Sequence, residues 1–424
     1  LVIGYCSFAV STDEGDSDAV TERVFITGLA AVSCLGNSLA EIEAALRAGR
    51  SGVVLDPRRR ELGFRSALTG VVSGFDPKAR LDRKARKSMH ESAQWCAFAA
   101  FEAIAHAGLD LSSLRSPRVG LIIGNDSTSQ PNVEVADAVR RDGTTQQLGS
   151  GYIFQCMNST ATMNLNALLG TQGAAWTLAA ACASGAHAVG QGFTLIRAGL
   201  QDVVITGGMQ EINWESMASF DALGTFSKRE DAPTAASRPF DRSRDGLVPS
   251  GGAAALILES ESHLKARGGK PLAELIGYGF SSDGEHLTLP SGDGARRAMR
   301  MALGNAGLGP GSIDYINAHA TSTPIGDAKE AEAIHDVFGE HTPVSSTKGM
   351  TGHECWMSGA SEILYSALML QAGFIAPNLN FEAQEEGAAK INVVGRTLER
   401  PLQRVLVNSF GFGGTNASVV LARA

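Results

Sequence analysis

No CxxC pair and no zinc-like spacing occurs among the six cysteines, Cys6, Cys34, Cys96, Cys156, Cys182 and Cys355. In a chain of 424 residues, too long to need disulfide staples, scattered thiols indicate a reducing, cytoplasmic compartment. A run long enough to span a membrane is lacking too. The opening LVIGYCSFAV is apolar but has no basic leader and runs at once into STDEGDSDAV. Residues 1–22 are therefore expected to form a disordered extension, neither a signal peptide nor a spanning helix. Positive charge is in deficit, 36 Lys+Arg against 44 Asp+Glu, and the net charge of −8 repels nucleic acid and anionic membrane. Solenoid repeats and flexible linkers are also missing, which excludes a string of independent modules.

What is present is 44% apolar residues, enough for a large core, and 49 glycines placed near breaks in the pattern. Short strand-like runs (VFITG, VGLIIG, VVITGG, VLVNSF) alternate with helical patterns such as Leu39–Ala48 and His90–Ala107, which predicts an α/β fold. Between Ile123 and Gly151 the chain is polar and shows no clear element. From Trp176 the pattern reads strand, sharp turn at CASG, helix through Ala186, Val189, Phe193, Ile196 and Leu200, then strand VVITGG. Strands at 253–260 and 273–279 follow. After Leu272 the order of elements loosely repeats, which predicts two similar halves, 23–265 and 266–424, packed as one unit.

One basic cluster stands out in this acidic chain: Arg58, Arg59, Arg60, Lys78, Arg80, Arg83, Lys84, Arg86 and Lys87. It fits a docking patch for an acidic protein, and equally a solvated helix face.

Cys182 falls where a strand turns into a helix. Unpaired amides and the positive helix end favour a thiolate there, and Ala181, Ala183, Ser184 and Gly185 keep the turn small and open. An isolated cysteine is more often a small core residue. His319 (in INAHATSTPIGD) and His353 (in STKGMTGHECW) each follow a strand-like run, and strand ends in α/β folds face the ligand crevice. Either histidine alone fits a structural role as well as a catalytic one. Lys348 adds a cation between them. NSFGFGGTN (408–416) is a glycine-rich turn between strands, suited to offering N–H groups to an oxyanion, or simply a hairpin.

ACASG around Cys182, SRPFDRSRDGLV (237–248), NAHATSTPIGD, STKGMTGH and NSFGFGGTN occur in the order and spacing of the elongating β-ketoacyl-acyl-carrier-protein synthases. The chain resembles that family from Val24 to its C-terminus, closer to synthase I than to the initiating synthase III. The resemblance implies a thiolase-like fold of five layers, αβαβα, and a homodimer. It implies that Cys182 carries the acyl group, His319 and His353 are the catalytic histidines, and Lys348 and Glu362 act beside them. It further implies an oxyanion hole from the amides of Cys182 and Phe412, a malonyl-side gate at Phe410 and Phe412, and phosphopantetheine contacts at Thr321 and Thr323. The partner is then an acidic acyl carrier protein, docking at Arg83, Lys84 and Lys87. Loss of carbon dioxide from malonyl drives the condensation, so no metal or redox cofactor is implied.

Three positions depart from the family pattern. Ala320 stands where glycine commonly follows the histidine, Ser250 replaces glycine or alanine, and ECWM (354–357) replaces a run of small residues. Trp356 and Met357 are bulky, so acyl-chain length does not carry over. A ketosynthase of a specialised polyketide or aryl-polyene pathway is the nearest alternative. A degradative thiolase would need a second reactive cysteine near the C-terminus, which NSFGFGGTN lacks, and a non-catalytic chain-length factor would lack the nucleophile.

Overall fold

The computed structural model describes residues 21–424. All but the last two positions of the expected N-terminal extension lie outside the described residues. Ten strands form the framework. They are β1 (Val24–Val32), β2 (Val119–Gly124), β3 (Ala175–Leu178), β4 (Val203–Gln210), β5 (Gly252–Ser260), β6 (Ala273–Ser282), β7 (Tyr315–Asn317), β8 (Pro343–Ser345), β9 (Arg404–Phe410) and β10 (Thr415–Ala422). Most are buried at every position, so they read as continuous apolar runs instead of alternating ones.

The order across the first half is β1-β5-β4-β2-β3, and across the second β6-β10-β9-β7-β8. The two orders are the same. So are the directions: the first two pairings in each half are antiparallel and the next two parallel. A short antiparallel ladder, Val24 to Ile26 against Leu275 to Ala273, joins the halves into one continuous sheet, and Asn392–Val393 extends it beyond β8.

Five long helices complete the layers: α1 (Glu91–Ala107), α2 (Ser184–Arg197), α3 (Asp293–Asn305), α4 (Pro324–Phe338) and α5 (Ser358–Ala372). Helix α1 packs on the outer face of β1 and β5, while α3, with α4 beside it, covers β6 and β10. Between the halves lie α2 and α5, touching strands of both and sharing one apolar core. The result is the expected αβαβα layering. The middle layer is tight because its helices cross on small residues. A Cβ on Gly185 would lie 2.8 Å from Ala360 N, and one on Gly359 2.5 Å from Ala186 Cβ.

Several local expectations need correction. Gln130–Asp142 is a helix, although the sequence shows no clear element there. Its composition is polar overall and only Pro131 in it is fully buried, so it does not read as a core helix. Leu200 lies beyond the end of α2 and is exposed, because the chain turns at Gly199 with φ 67°. The basic cluster is not one surface. Arg59 is fully buried and donates to the carbonyls of Leu68 and Ile212. Arg58, Arg60 and Arg80 pair with Glu61, Glu230 and Glu102, whereas Arg83, Lys84 and Lys87 are exposed with no ion pair among the described residues.

Candidate active site

The nucleophile turn is built from β3 into α2. Ala181 is held at φ 45°, a conformation an alanine adopts only when neighbours enforce it. Those neighbours are Asp126 and Ser184: Ala181 N–H donates to Asp126 Oδ2 at 2.7 Å, and Ser184 Oγ accepts from Ala180 N–H at 2.8 Å and donates to Ala181 O at 2.6 Å. From the second half, Ser409 Oγ donates to Cys182 O at 3.0 Å. The thiol of Cys182 is thereby fixed at the seam, 4% exposed.

The corresponding turn of the second half, between β8 and α5, supplies Lys348 and His353. His353 Nε2 lies 3.1 Å from Cys182 Sγ. The loop is pinned to the first half: His353 N–H donates to Val248 O at 2.6 Å and Ser250 N–H donates to His353 O at 2.9 Å. His319 comes from the end of β7, its ring centroid 5.3 Å from that of His353 with the planes at 85°. The carboxylate of Glu330 on α4 holds this loop by accepting from the N–H groups of His319 at 2.9 Å and Ala320 at 2.6 Å. Asp327 does the same for Thr321, Ser322 and Thr323. In this loop Ser322, at φ 71°, takes the left-handed conformation, and alanine is accommodated at 320.

Proton positions follow from the partners. The Lys348 ammonium has only donors, so His319 Nδ1, 3.3 Å away, must accept, and the His319 proton sits on Nε2. Ser358 Oγ lies 3.4 Å from His353 Nδ1 and can donate there, leaving the His353 proton on Nε2 as well. Burial holds both imidazoles well below their ordinary pKa, with the Lys348 charge adding to the effect, so both are neutral donors. Lys348 also contacts Glu362 Oε1 at 2.5 Å, and burial pushes Glu362 up to about 8 although Lys348 opposes this.

The thiol differs from the expectation of a ready thiolate. Burial pushes Cys182 up to about 11, more than the Lys348 charge and the N–H groups of Phe412 and Cys182 together pull it down. The Phe412 N–H comes from the FGFGG turn, which packs against the nucleophile turn. A Cβ on Gly411 would lie 3.1 Å from Cys182 N, so only a glycine lets the FGFGG turn come this close. Phe410 sits 5.9 Å from the His319 ring and Phe412 stacks at 6.2 Å on Phe220. Thr321 and Thr323 are half-buried with their hydroxyls 3.1 Å apart.

Cys182, His319 and His353 present donor atoms within 4.8 Å of one another, close enough for one metal ion. The second ring nitrogens, however, face an ammonium and a hydroxyl, not the carboxylate or carbonyl that usually orients a metal-binding imidazole. The set suits hydrogen bonding to a reacting carbonyl better than an ion.

Sequence reasoning missed several residues here. Asp126 and Glu330 act through backbone amides, which no side-chain motif reveals. Glu354 is buried next to His353, accepts from Ser361 and from Tyr365 OH at 2.9 Å, and is pushed up by burial to about 7. Cys355 packs against Cys182, but burial holds its thiol far above the ordinary range and it faces His353 O, so it is no second base.

Comparison with known proteins agrees with this architecture. The family model of the β-ketoacyl synthase N-terminal domain matches residues 21–263 and that of the C-terminal domain residues 272–382. The 3-oxoacyl-[acyl-carrier-protein] synthase 1 of Haemophilus influenzae is 42% identical, covering 95% of this chain and 99% of the relative. That of Escherichia coli K12 is 41% identical with the same coverage. A solved β-ketoacyl synthase from Burkholderia phymatum STM815 superposes with a TM-score of 0.91 at 35% identity, covering 95% of this chain and all of the other. A type II polyketide acyl-carrier protein in complex with its ketosynthase contains a chain at TM-score 0.87 and 28% identity, covered to 95% and 100%. With its duplicated sheet and with Cys182 facing two histidines across the seam, the chain belongs to the β-ketoacyl synthase family.

Proposed function

We propose that the protein is a β-ketoacyl-ACP synthase of fatty acid elongation, condensing malonyl-ACP with an acyl group carried on Cys182. The observation that carries this reading is the convergence on one sulfur of His353 Nε2 at 3.1 Å and the amides of Cys182 and Phe412. In the first half-reaction Cys182 attacks an acyl thioester, its proton passing to the departing phosphopantetheine thiol. The imidazole N–H of His353 and the two amides stabilise the sulfur as charge builds. In the second, the thioester oxygen of malonyl-ACP accepts from His319 Nε2–H and His353 Nε2–H, carbon dioxide leaves, and the enolate carbon attacks the acyl carbonyl. The resulting oxyanion is received by the amides of Cys182 and Phe412, and collapse expels the Cys182 sulfur. Lys348, with Glu362, keeps His319 in the donating tautomer.

Thr321 and Thr323, half-buried beside His319, suit the phosphopantetheine arm, and Arg83, Lys84 and Lys87, exposed and without an ion pair among the described residues, suit an acidic carrier protein. The relatives of highest identity reported above support the fatty acid assignment. A homodimer is supported by the open edge of β3, where Trp176 is 50% exposed. Among the described residues no helix is long and apolar enough to cross a membrane.

The test is mass spectrometry of the Cys182 peptide after incubation with acyl-ACP, followed by malonyl-ACP. Acylation of Cys182 that disappears as 3-ketoacyl-ACP forms is the expected result; acylation elsewhere, or none, would overturn it.

A further inference from the structure

Cys182 has two unlike flanks. On one lie His319, His353 and Lys348, the polar groups that the condensation uses. On the other it packs with Cys355, Trp356, Ala181 and Phe220. An apolar chain leaving the Cys182 thioester belongs on the second flank, since on the first it would strip hydrogen bonds from buried polar groups. That flank is filled. The Phe220 ring centroid lies 5.8 Å from Trp356, 6.2 Å from Phe412 and 6.5 Å from Phe226, so Trp356 is one member of an aromatic cluster, tilted at 48° to Phe220.

Trp356 cannot easily step aside. Its indole Nε1–H donates to Ser127 Oγ at 3.0 Å and its backbone N–H to Gln210 Oε1 at 3.4 Å. Its backbone rests on Gly208, where a Cβ would lie 3.1 Å from Trp356 O and 2.9 Å from Met357 Cα. Moving the ring breaks a part-buried hydrogen bond, and moving the backbone runs into β4.

We propose that Trp356 is the residue that sets acyl-chain length here, restricting the group on Cys182 to about two to four carbons, with longer chains excluded by the filled flank. This rests on Cys182 being the acyl carrier. It places the enzyme at the short-chain steps of elongation, supplied by a reaction that makes short acyl thioesters. A single surplus methylene against a fixed wall discriminates by about 10- to 200-fold.

Single-turnover acylation of the full chain by acetyl-, butyryl-, octanoyl- and dodecanoyl-ACP, read by mass spectrometry at the Cys182 peptide, tests this. Acetyl and butyryl groups should load, and octanoyl should load at least about 100-fold more slowly than butyryl. Trp356→Ala should raise octanoyl loading toward the butyryl rate and leave acetyl loading within a few-fold. Trp356→Leu, which keeps an apolar side chain on the same backbone, should shift the limit in the same direction if the alanine variant does not fold. Equal loading of octanoyl and butyryl by the unaltered chain would overturn the proposal, as would a folded Trp356→Leu with an unchanged limit. Failure of every donor, acetyl included, to label Cys182 would instead strike the carrier reading beneath it.

Discussion

Lys348 Nζ lies 3.3 Å from His319 Nδ1, and because an ammonium cannot accept a hydrogen bond this single contact decides which nitrogen of His319 carries the proton. Replacing Lys348 by Met frees the ring to take the other tautomer. Carbon dioxide release from malonyl-ACP should fall by about 100-fold or more, the cost of one aimed donor. Alkylation of Cys182 should also slow, because the thiolate loses the Lys348 charge. His319→Ala should lower decarboxylation alike while acyl transfer to Cys182 stays detectable. Unchanged decarboxylation in both variants would remove the pair from the reaction.

The buried thiol makes a pH prediction with a definite sign. With Cys182 raised to about 11, about one thiol in 10,000 is ionised at pH 7, and ionisation is gained only as pH rises. Iodoacetamide labelling of the free enzyme should therefore climb about tenfold per pH unit from pH 7 to pH 9 without levelling. A plateau near neutrality would show a preformed thiolate.

Glu354 sets the opposite kind of pH effect, on stability. Its folded pKa of about 7 lies above that of an ordinary carboxyl, so between about pH 4.5 and 7 the folded chain keeps a proton that the unfolded chain releases. Stability is lost as pH rises through that window. Glu354→Gln should leave the melting temperature near that of the parent at pH 5 and raise it at pH 8, by up to about 3 kcal/mol of stability. An equal difference at both pH values would place the charge elsewhere.

Gly411 sits where a side chain would collide with the nucleophile turn, 2.9 Å from Ala180 O. Gly411→Ala should fold, with an unchanged circular dichroism spectrum, yet displace the Phe412 amide and lower condensation on the order of 100-fold. Retained activity would mean that this amide is not part of the oxyanion hole.

Reversing Arg83 and Lys84 to Glu should weaken binding of acidic carrier protein about 3- to 10-fold at low ionic strength, and less at high salt. A salt-independent, unaltered affinity would make these residues solvated surface and nothing more.

His319 and His353 stood out in the sequence because each follows a strand whose end faces the crevice; their pairing with Cys182 came from the resemblance, and the fold brings all three together. The site was illegible where burial is set by partners distant in the chain. RRRE reads as a solvated run, yet Arg59 is drawn inside by the carbonyls of Leu68 and Ile212. Cys355 looks like one scattered thiol until the fold sets it against Cys182. The helix Gln130–Asp142 escaped because almost nothing in it is buried. The repeat of the strand order was visible only loosely, since strands as short as Tyr315–Asn317 leave a faint trace.

The crossing of α2 and α5 on Gly185, Ala186, Gly359 and Ala360 serves as a gauge block. The nucleophile begins one of these helices and the His353 loop begins the other. The thickness of that crossing therefore fixes the gap between sulfur and imidazole. A single added methyl group there would wedge the two copies of the fold apart and detune the reaction centre without touching any group that reacts.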